Sequence, residues 1–171
     1  MKKILFFVIL VSLTISTISQ QVNWLSFEKA IELNKTNPKP ILIDVYTDWC
    51  GWCKKMDKET YTNKVIVSYI NTHLYAVKMD GEGKKDITYK DYTFAFKKEG
   101  NTKYHELAAV LMNGKLSYPT TLFMNEKNEL VDRIPGYLET AVMEKVLVFF
   151  NEKKYETDSW EAFEKTFKSK L

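Results

Sequence analysis

The fold of this chain is decided by the stretch Ile41-Leu42-Ile43-Asp44-Val45-Tyr46-Thr47-Asp48-Trp49-Cys50-Gly51-Trp52-Cys53. Its first half is a nearly continuous apolar and β-branched run, which predicts a strand covered on both faces at the centre of a sheet. Its second half holds Cys50 and Cys53, the only cysteines in the sequence. Because two residues separate them, their sulfurs can meet across one helical turn and close a disulfide without a large movement of the backbone. The pair can therefore cycle between dithiol and disulfide.

Length and charge define the class of protein. The chain has 171 residues, 45% of them hydrophobic, which is enough for one domain with a single core that does not depend on disulfides. Its 25 Lys and Arg nearly balance its 22 Asp and Glu. This balance gives no support for nucleic acid or an anionic membrane as partner, because both attract a marked excess of positive charge.

The N-terminal residues have the order of features of a secretory signal peptide. Lys2-Lys3 precede the apolar stretch Ile4 to Val11, and small residues follow at Thr17 and Ser19. We predict a signal peptide over 1–19 and a single mature domain over 20–171. An uncleaved membrane anchor is the alternative, although the apolar run is short for a spanning helix. The cleaved protein would be exported to the periplasm or secreted, where disulfides are permitted, without stable membrane insertion.

Hydrophobic periodicity predicts alternating strands and helices in the first half of the mature chain. The predicted elements are an edge strand within 22–25, a helix from the N-cap Ser26 through Asn34, a strand at 41–46, helices at 51–60 and 65–72, and a strand at 74–79. Strand, helix and strand form a right-handed βαβ unit, so the helix with the cysteines begins at the carboxyl end of the central strand. Reactive groups gather at that edge of a sheet.

The second half of the mature chain is predicted to hold further strands and helices. After a polar turn at 80–85, the predicted elements are a hairpin of 87–89 with 92–96, a helix at 104–112, an antiparallel pair of strands at 118–124 and 129–134, and helices at 138–150 and 159–171. The last helix presents Trp160, Phe163 and Phe167 on one stripe.

Several of these motifs, in this order, resemble the thioredoxin family: the buried-strand acid before Asp48-Trp49-Cys50-Gly51-Trp52-Cys53-Lys54, then Tyr118-Pro119-Thr120, then Gly136. The resemblance covers about residues 24–150 and implies a thioredoxin fold, an α/β class with a central mixed β-sheet flanked by helices. More narrowly, the chain is similar to exported bacterial thioredoxin-like proteins. It departs from thioredoxin in three features: Trp52 in place of a proline, an inserted hairpin and helix over 83–112 before the cis-proline strand, and an extra C-terminal helix.

Cys50 and Cys53 are the predicted redox pair. A thiolate, not a thiol, attacks a disulfide, so the attacking sulfur is expected to be exposed and ionised near neutral pH. Cys50 stands at the start of a helix, whose free N–H groups and dipole lower a thiol pKa from about 8.5 toward about 7. Cys53 lies one turn inside the helix and is expected to be shielded until it displaces the substrate thiol from the mixed disulfide.

Asp44 and Lys78 are the other predicted catalytic residues. Desolvation raises the pKa of an acid in a covered strand, which makes Asp44 a suitable acceptor for the proton of Cys53. The alternative is that Asp44 only pairs with Lys78 in the neighbouring strand. The resemblance places an acid and a lysine at these two positions, which favours the functional role.

Five residues are predicted to bind substrate: Trp49, Gly51, Trp52, Tyr118 and Pro119. The two tryptophans flank the cysteines and are interpreted as an apolar landing surface. The resemblance implies a cis peptide before Pro119, which would present the backbone of Tyr118 to an extended substrate by β-augmentation. A proline at the first residue of a strand also needs no special role.

Other functions fit parts of the pattern. A zinc site could join the cysteines to His73 and His105, but these histidines lie far apart in the sequence and no second paired-ligand motif exists. A permanent structural disulfide would remove little chain entropy, because its loop is so small. A binding module or chaperone of thioredoxin fold, with incidental cysteines, stays open, since fold alone does not define function.

The sequence therefore predicts an exported, monomeric thiol-disulfide oxidoreductase that needs no metal or organic cofactor. Its partners would be protein thiols and disulfides and an unidentified redox protein, with no role for nucleic acid. Asp44 and Lys78 favour a reductant or isomerase over an oxidant.

Overall fold

The structure is a computed structural model that describes residues 21–171. The predicted signal peptide, with its cleavage point after Ser19, lies outside the described residues. Within the described part of the chain, no helix combines the length and the apolar character needed to span a bilayer.

A five-stranded mixed sheet forms the centre of the fold. The strands found in the described residues are, in chain order, β1 (Trp24–Leu25), β2 (Ile41–Tyr46), β3 (Tyr75–Asp80), β4 (Ile87–Tyr89), β5 (Tyr92–Phe94), β6 (Phe96–Glu99), β7 (Thr102–His105), β8 (Thr120–Met124) and β9 (Leu130–Pro135). The order in the central sheet is β1-β3-β2-β8-β9. β1, β3 and β2 are parallel, and β8 runs antiparallel to both β2 and β9. β2 is therefore the central strand, as predicted.

The helices follow the predicted order. They are α1 (Phe27–Asn34), α2 (Gly51–Glu59), α3 (Lys64–His73), α4 (Glu106–Leu111), α5 (Thr140–Asn151) and α6 (Trp160–Thr166), with a short 3-10 helix at Lys154–Glu156. Ser26 caps α1 as predicted, because its hydroxyl accepts the N–H of Lys29 at 3.2 Å. α6 ends at Thr166 rather than Leu171, since Phe167 has an extended backbone. Its aromatic stripe still packs on the core, with Phe163 buried.

The side chains of β2 alternate between the two faces of the sheet, which divides the core into two layers and places an acid in one of them. Consecutive side chains of a strand point to opposite faces of the sheet. Ile41, Ile43 and Val45 join a cluster with α1 and α4, whereas Leu42 joins a cluster with α2, α3 and α5. Asp44 lies on the face of Leu42, toward the helix that carries the cysteines.

The insertion holds two hairpins where the sequence predicted one. β4 pairs with β5 as predicted, and β6 pairs with β7 around a turn at Gly100. The predicted helix at 104–112 is wrong at Tyr104 and His105, which belong to β7. α4 begins only at Glu106, where two bonds to Ala95 hold the hairpin base: the carboxylate of Glu106 accepts the N–H of Ala95 at 2.8 Å, and its own N–H donates to the carbonyl of Ala95 at 2.9 Å.

Candidate active site

Cys50 and Cys53 form a disulfide at the start of α2, with the sulfurs 2.01 Å apart and the Cα atoms 5.3 Å apart. Cys50 is the N-cap of α2, and its Sγ accepts the backbone N–H of Cys53 at 3.0 Å. Gly51 is the first residue of the helix and is exposed. The sulfur of Cys50 therefore faces the free N–H groups and the positive end of the helix dipole, which stabilise a thiolate when the disulfide is reduced.

Both cysteines are buried in this disulfide form. Cys50 is 4% exposed and Cys53 is 2% exposed. The expectation of an exposed Cys50 is wrong for this state, because its side chain turns back toward the helix start, where Sγ bonds to the N–H of Cys53. The expected shielding of Cys53 is confirmed.

Two exposed tryptophans flank the disulfide. Trp49 is 66% exposed and Trp52 is 58% exposed. The indole N–H of Trp49 donates to Glu82 at 3.0 Å, and its ring meets Tyr118 edge to face with the centroids 5.8 Å apart. Trp52 lies against Tyr137 with the centroids 5.5 Å apart. Rings that are held in place and open to solvent form an apolar surface on both sides of the cysteines.

Tyr118 and Pro119 lie just before β8, and the peptide between them is cis. The carbonyl of Pro119 accepts the N–H of Gly136 at 2.8 Å, and Gly136 has φ +98, a conformation that favours glycine. This bond joins the start of β8 to the end of β9. Burial, together with the charges of Glu82 and Asp80, raises the pKa of Tyr118 to about 12, so its phenol stays protonated near neutral pH.

Gly81, at the end of β3, makes room for the ring of Tyr118. A Cβ built on Gly81 would lie 2.4 Å from a ring carbon of Tyr118, which is far inside van der Waals contact. The sequence predicts a polar turn at 80–85 but not the role of this glycine. Its φ is not positive, so the turn does not require a glycine, and the close approach of the ring explains it.

Replacing Gly81 with alanine is therefore expected to lower the free energy of unfolding by about 1–3 kcal/mol, because the ring of Tyr118 must move. The fluorescence of Trp49 should change as well, since its ring rests on Tyr118. Gly51→Ala is the matched control: nothing lies within 4 Å of its added Cβ, and its stability should be unchanged or higher by up to about 1 kcal/mol. Urea denaturation followed by fluorescence measures both, and equal losses in the two variants would contradict the steric argument.

Asp44 and Lys78 form an ion pair beneath the active-site helix. Asp44 is 1% exposed, and its Oδ2 accepts Nζ of Lys78 at 2.5 Å. The two residues are register partners in β2 and β3, so strand pairing alone brings them together. Lys78 also donates to Asp57 of α2, a residue that the sequence analysis missed. Asp57 lies four residues after Cys53, on the same side of the helix.

Lys78 is enclosed by aromatic rings as well as by carboxylates. Its Nζ lies 5.0, 5.0 and 5.5 Å from the ring centroids of Trp24, Tyr46 and Tyr61, within range of cation–π attraction. Burial acts to lower the pKa of Lys78, but the neighbouring carboxylates outweigh it and the pKa is raised. Lys78 therefore stays charged and holds its partners in position.

The other oxygen of Asp44 has no hydrogen-bond partner among the residues that the structure describes. Oδ1 of Asp44, the hydroxyl of Tyr61 and that of Thr121 are all buried and make no hydrogen bond within residues 21–171. Thr121 is the register partner of Asp44 in β8. Burial raises the pKa of Asp44, and the charge of Lys78 offsets this only in part. A buried carboxyl with a free oxygen and a raised pKa is suited to accept and return a proton.

Three further carboxylates lie around Trp49. Asp48 precedes it, Glu82 accepts its indole N–H, and Asp80 accepts the backbone N–H of Glu82 at 2.9 Å. Burial raises the pKa of Asp80, and the charges of Asp48 and Glu82 raise it further. These carboxylates therefore place negative charge next to Trp49.

The two histidines have local roles. One ring nitrogen of His105 lies 3.1 Å from the carbonyl of Lys85, and the other accepts the N–H of Leu107 at the start of α4. His73 lies at the end of α3 and packs on Tyr69 with the centroids 4.6 Å apart. In the described residues, no group of three or more His, Cys, Asp or Glu is placed to hold a metal ion.

Comparison with known proteins identifies the family of this chain. A family model named Thioredox_DsbH and described as "Protein of unknown function, DUF255" matches residues 12–166. An uncharacterized protein of Caenorhabditis elegans is 31% identical over 67 residues, which are 39% of this chain and 9% of that protein. The "Disulfide bond reductase DsbH" of Chlamydia pneumoniae is 33% identical over 60 residues, 34% of this chain and 36% of the relative. The matched segments therefore span only a minor part of either relative.

A solved structure described as "DsbH Oxidoreductase" superposes with a TM-score of 0.56 at 18% identity, covering 77% of this chain and 85% of that one. A thioredoxin-fold protein from Helicobacter pylori gives the same TM-score at 20% identity, covering 75% and 80% of the two chains. These likenesses show the thioredoxin fold. Since the family model extends over nearly the whole sequence, including both cysteines and the strand after Pro119, the chain belongs to the thioredoxin-like Thioredox_DsbH (DUF255) family.

Proposed function

We propose that this protein is a thiol-disulfide oxidoreductase that reduces disulfide bonds of other proteins. The observation that supports this most directly is the Cys50–Cys53 disulfide at the start of α2, with Sγ of Cys50 on a helix N–H. The Chlamydia pneumoniae relative is named a disulfide bond reductase, and its matched segment adds support for the direction of the reaction.

The proposed reaction begins with the reduced protein. The thiolate of Cys50 attacks one sulfur of a substrate disulfide, forming a mixed disulfide while the other substrate sulfur leaves as a thiolate and takes up a proton. Cys53 then loses its proton and attacks Sγ of Cys50, which releases the second substrate thiol. Two electrons and two protons pass to the substrate, and the protein is left with the Cys50–Cys53 disulfide. A dithiol redox protein must then reduce it.

Asp44 is proposed to take the proton of Cys53 in the second step. Its raised pKa and its free Oδ1 support this role. Lys78 is proposed as a positioning residue, because it holds the other oxygen of Asp44 and, through Asp57, the helix that carries Cys53.

The carboxylates near the disulfide favour a reductant over an oxidant. A strong oxidant of this fold stabilises its reduced form, and with it the thiolate of the attacking cysteine. Here the buried Asp44 and the carboxylates around Trp49 oppose a second negative charge near the sulfurs. This lowers the stability of the reduced form, with its Cys50 thiolate, relative to the disulfide, and so makes the reduced protein a better electron donor.

The substrate chain is proposed to dock at the edge formed by Trp49, Gly51, Trp52, Tyr118 and Pro119. The two indoles offer apolar contact area, and Gly51 leaves space above the helix start. Within residues 21–171, the peptide groups of Tyr118 take part in no backbone–backbone hydrogen bond, so they can pair with an extended substrate segment. From the N-terminal sequence we also propose export of a monomeric domain over residues 20–171 to the periplasm or the outside.

The redox potential of the cysteine pair tests the direction. We expect equilibration with glutathione or dithiothreitol to give a value near that of thioredoxin, about −270 mV, and catalysed reduction of insulin to proceed with the reduced protein. A value near about −120 mV would identify an oxidant instead. A pair that stays oxidised in strong reductant, with no insulin reduction, would favour a structural disulfide or a binding module.

A further inference from the structure

We infer that a charged cleft beside Trp49 receives the substrate chain next to its disulfide and selects a polypeptide segment with charges of both signs, the basic side chain close to the cysteine and the acidic one further along. This inference rests on the proposed function and specifies the class of substrate.

The charged cleft lies between the active-site turn and the second hairpin of the insertion. It has a volume of about 620 Å³ and is lined by Asp48, Trp49, Asp80, Glu82, Lys84, Phe96, Lys98 and Lys103. This volume is in the range of sites that hold ligands or short peptide segments. Because Trp49 directly precedes Cys50, a substrate chain attached to Cys50 passes the mouth of the cleft.

One side of the charged cleft is an acidic wall formed by Asp48, Asp80 and Glu82. Glu82 is fixed by the indole N–H of Trp49 at 3.0 Å, and its own N–H donates to Asp80 at 2.9 Å. The ion pairs found within residues 21–171 include none of these three carboxylates. In the described part of the chain these carboxylates therefore have no ion-pair partner, although Lys84 also lines the cleft, and a basic side chain placed beside them would lower their energy.

The opposite side is a lysine wall formed by Lys98 and Lys103. These residues are register partners in β6 and β7, so their side chains leave the hairpin on the same face. Like charges directly opposite each other in a hairpin are destabilising, and in the described part of the chain neither lysine has an acidic partner. By contrast, Lys97 on the other face pairs with Glu106 at 3.2 Å. The lysine wall is thus the uncompensated face of the hairpin, and an acidic side chain would relieve it.

The lysine wall is held firmly against the central sheet. The N–H of His105 donates to the carbonyl of Gly81 at 2.7 Å, and the two bonds between Ala95 and Glu106 close the hairpin base. Phe96 lies on the cleft face, two residues before Lys98. The cleft is therefore largely formed before a substrate arrives, which lowers the entropic cost of binding.

The positions of the two walls set the order of charges in the substrate. Asp48 lies two residues before Cys50, whereas the lysines belong to the hairpin across the cleft. An extended segment that crosses the cleft from Cys50 therefore meets the acidic wall beside its cysteine and the lysine wall further along the chain. The exposed rings of Trp49 and Trp52 at the mouth favour a polypeptide over a small zwitterionic disulfide.

Three peptide disulfides of equal length test this inference. In the first peptide, lysine stands next to the cysteine and one glutamate stands about three residues from it, and both directions along the chain are tested. The second peptide exchanges the two charges, and the third has neutral residues at both positions. We expect kcat/KM of the reduced full-length protein to be at least about fivefold higher for the first peptide than for the second, and this ratio to shrink at high salt.

Charge reversal connects the preference to the cleft. The double variant Lys98→Glu/Lys103→Glu should abolish or invert the ratio between the first two peptides. The control Lys115→Glu/Lys127→Glu makes the same change in net charge outside the cleft and should keep the ratio.

Equal rates for the two charged peptides, with the neutral peptide also reduced, would overturn the inference and leave the proposed function standing. Failure to reduce any of the three peptides or insulin would contradict the proposed function itself. Oxidised glutathione reduced faster than every peptide would assign the cleft to a small zwitterion and would also overturn the inference.

Discussion

Replacing Cys50 with serine is expected to abolish insulin reduction, leaving the rate at least about a thousandfold below that of the unmodified protein. The hydroxyl of serine stays protonated near neutral pH and cannot form the mixed disulfide, so the first step of the reaction is lost. Cys53 does not replace it, because it lies inside α2 and not at the N-cap, where Sγ of Cys50 accepts a helix N–H. The measurement is the turbidity of insulin under excess dithiothreitol, corrected for the uncatalysed reaction.

Cys53→Ser is the matched variant, because it also removes the disulfide but leaves the attacking sulfur. This protein should lose turnover to a similar extent yet accumulate a mixed disulfide with substrate, since no second thiol can resolve it. Mass spectrometry without reductant detects the adduct. Thermal unfolding of the two variants should agree, which separates loss of chemistry from loss of fold.

Two outcomes would count against this assignment. Insulin reduction that persists in Cys50→Ser would mean that Cys50 is not the attacking residue. Adducts that form on Cys50→Ser and not on Cys53→Ser would exchange the roles of the two cysteines. The hydrogen bond from the backbone N–H of Cys53 to Sγ of Cys50 would then have only a structural role.

The sequence predicts those parts of the site that strand pairing and helix starts determine. A continuous apolar run with one acid predicts the central strand, and the next strand in the chain supplies Lys78 in register with Asp44. Cys50 at a helix start follows from its place after that strand. These features depend on local periodicity and on the handedness of one βαβ unit, and both are readable in a single sequence.

What the sequence did not predict depends on side-chain geometry. Asp57 of α2 forms an ion pair with Lys78 of β3, and an acid on an exposed helix face gives no signal of this. Gly81 is explained only by the ring of Tyr118, which is 37 residues later in the chain. The burial of Cys50 is a feature of the disulfide form, in which its Sγ accepts the N–H of Cys53. The second hairpin is different, since Gly100-Asn101 between short alternating segments is a hairpin signal that the helix prediction overrode.

Replacing Asp44 with asparagine is expected to have two opposite effects: the free energy of unfolding should rise on the order of 1 kcal/mol near neutral pH, while resolution of the mixed disulfide slows by roughly a hundredfold. Burial raises the pKa of Asp44 despite Lys78, so the ionised form destabilises the folded state and a neutral isostere removes that cost. Lys78 keeps Asp57 and three aromatic rings as partners, so no unpaired buried charge is created.

The pH dependence fixes the sign of the stability effect. A raised pKa means that the folded protein binds a proton at Asp44 more tightly than the unfolded chain does, so this residue makes stability fall as pH rises from the ordinary aspartate value of 3.8 through the folded pKa. Asp44→Asn should therefore be more stable than the unmodified protein above this window, and the gain should vanish below about pH 4, where the carboxyl is protonated in both states. Urea denaturation at several pH values measures the difference.

The rate at which Asp44→Asn resolves the mixed disulfide should also depend on pH. Without a carboxylate to accept the proton of Cys53, resolution must rely on hydroxide or bulk base, so the rate for Asp44→Asn should keep rising with pH where that of the unmodified protein has levelled. Single-turnover release of a thiol from a preformed mixed disulfide on Cys50 measures this step. Asp57→Asn is the control, since it removes a 43% exposed carboxylate from the same lysine and leaves Asp44 in place. Because Asp57 links Lys78 to α2, this variant should resolve the mixed disulfide more slowly than the unmodified protein but faster than Asp44→Asn, and its rate should level with pH as that of the unmodified protein does. If Asp44→Asn resolves the mixed disulfide at the unmodified rate across the pH range, Asp44 serves only as the ion-pair partner of Lys78.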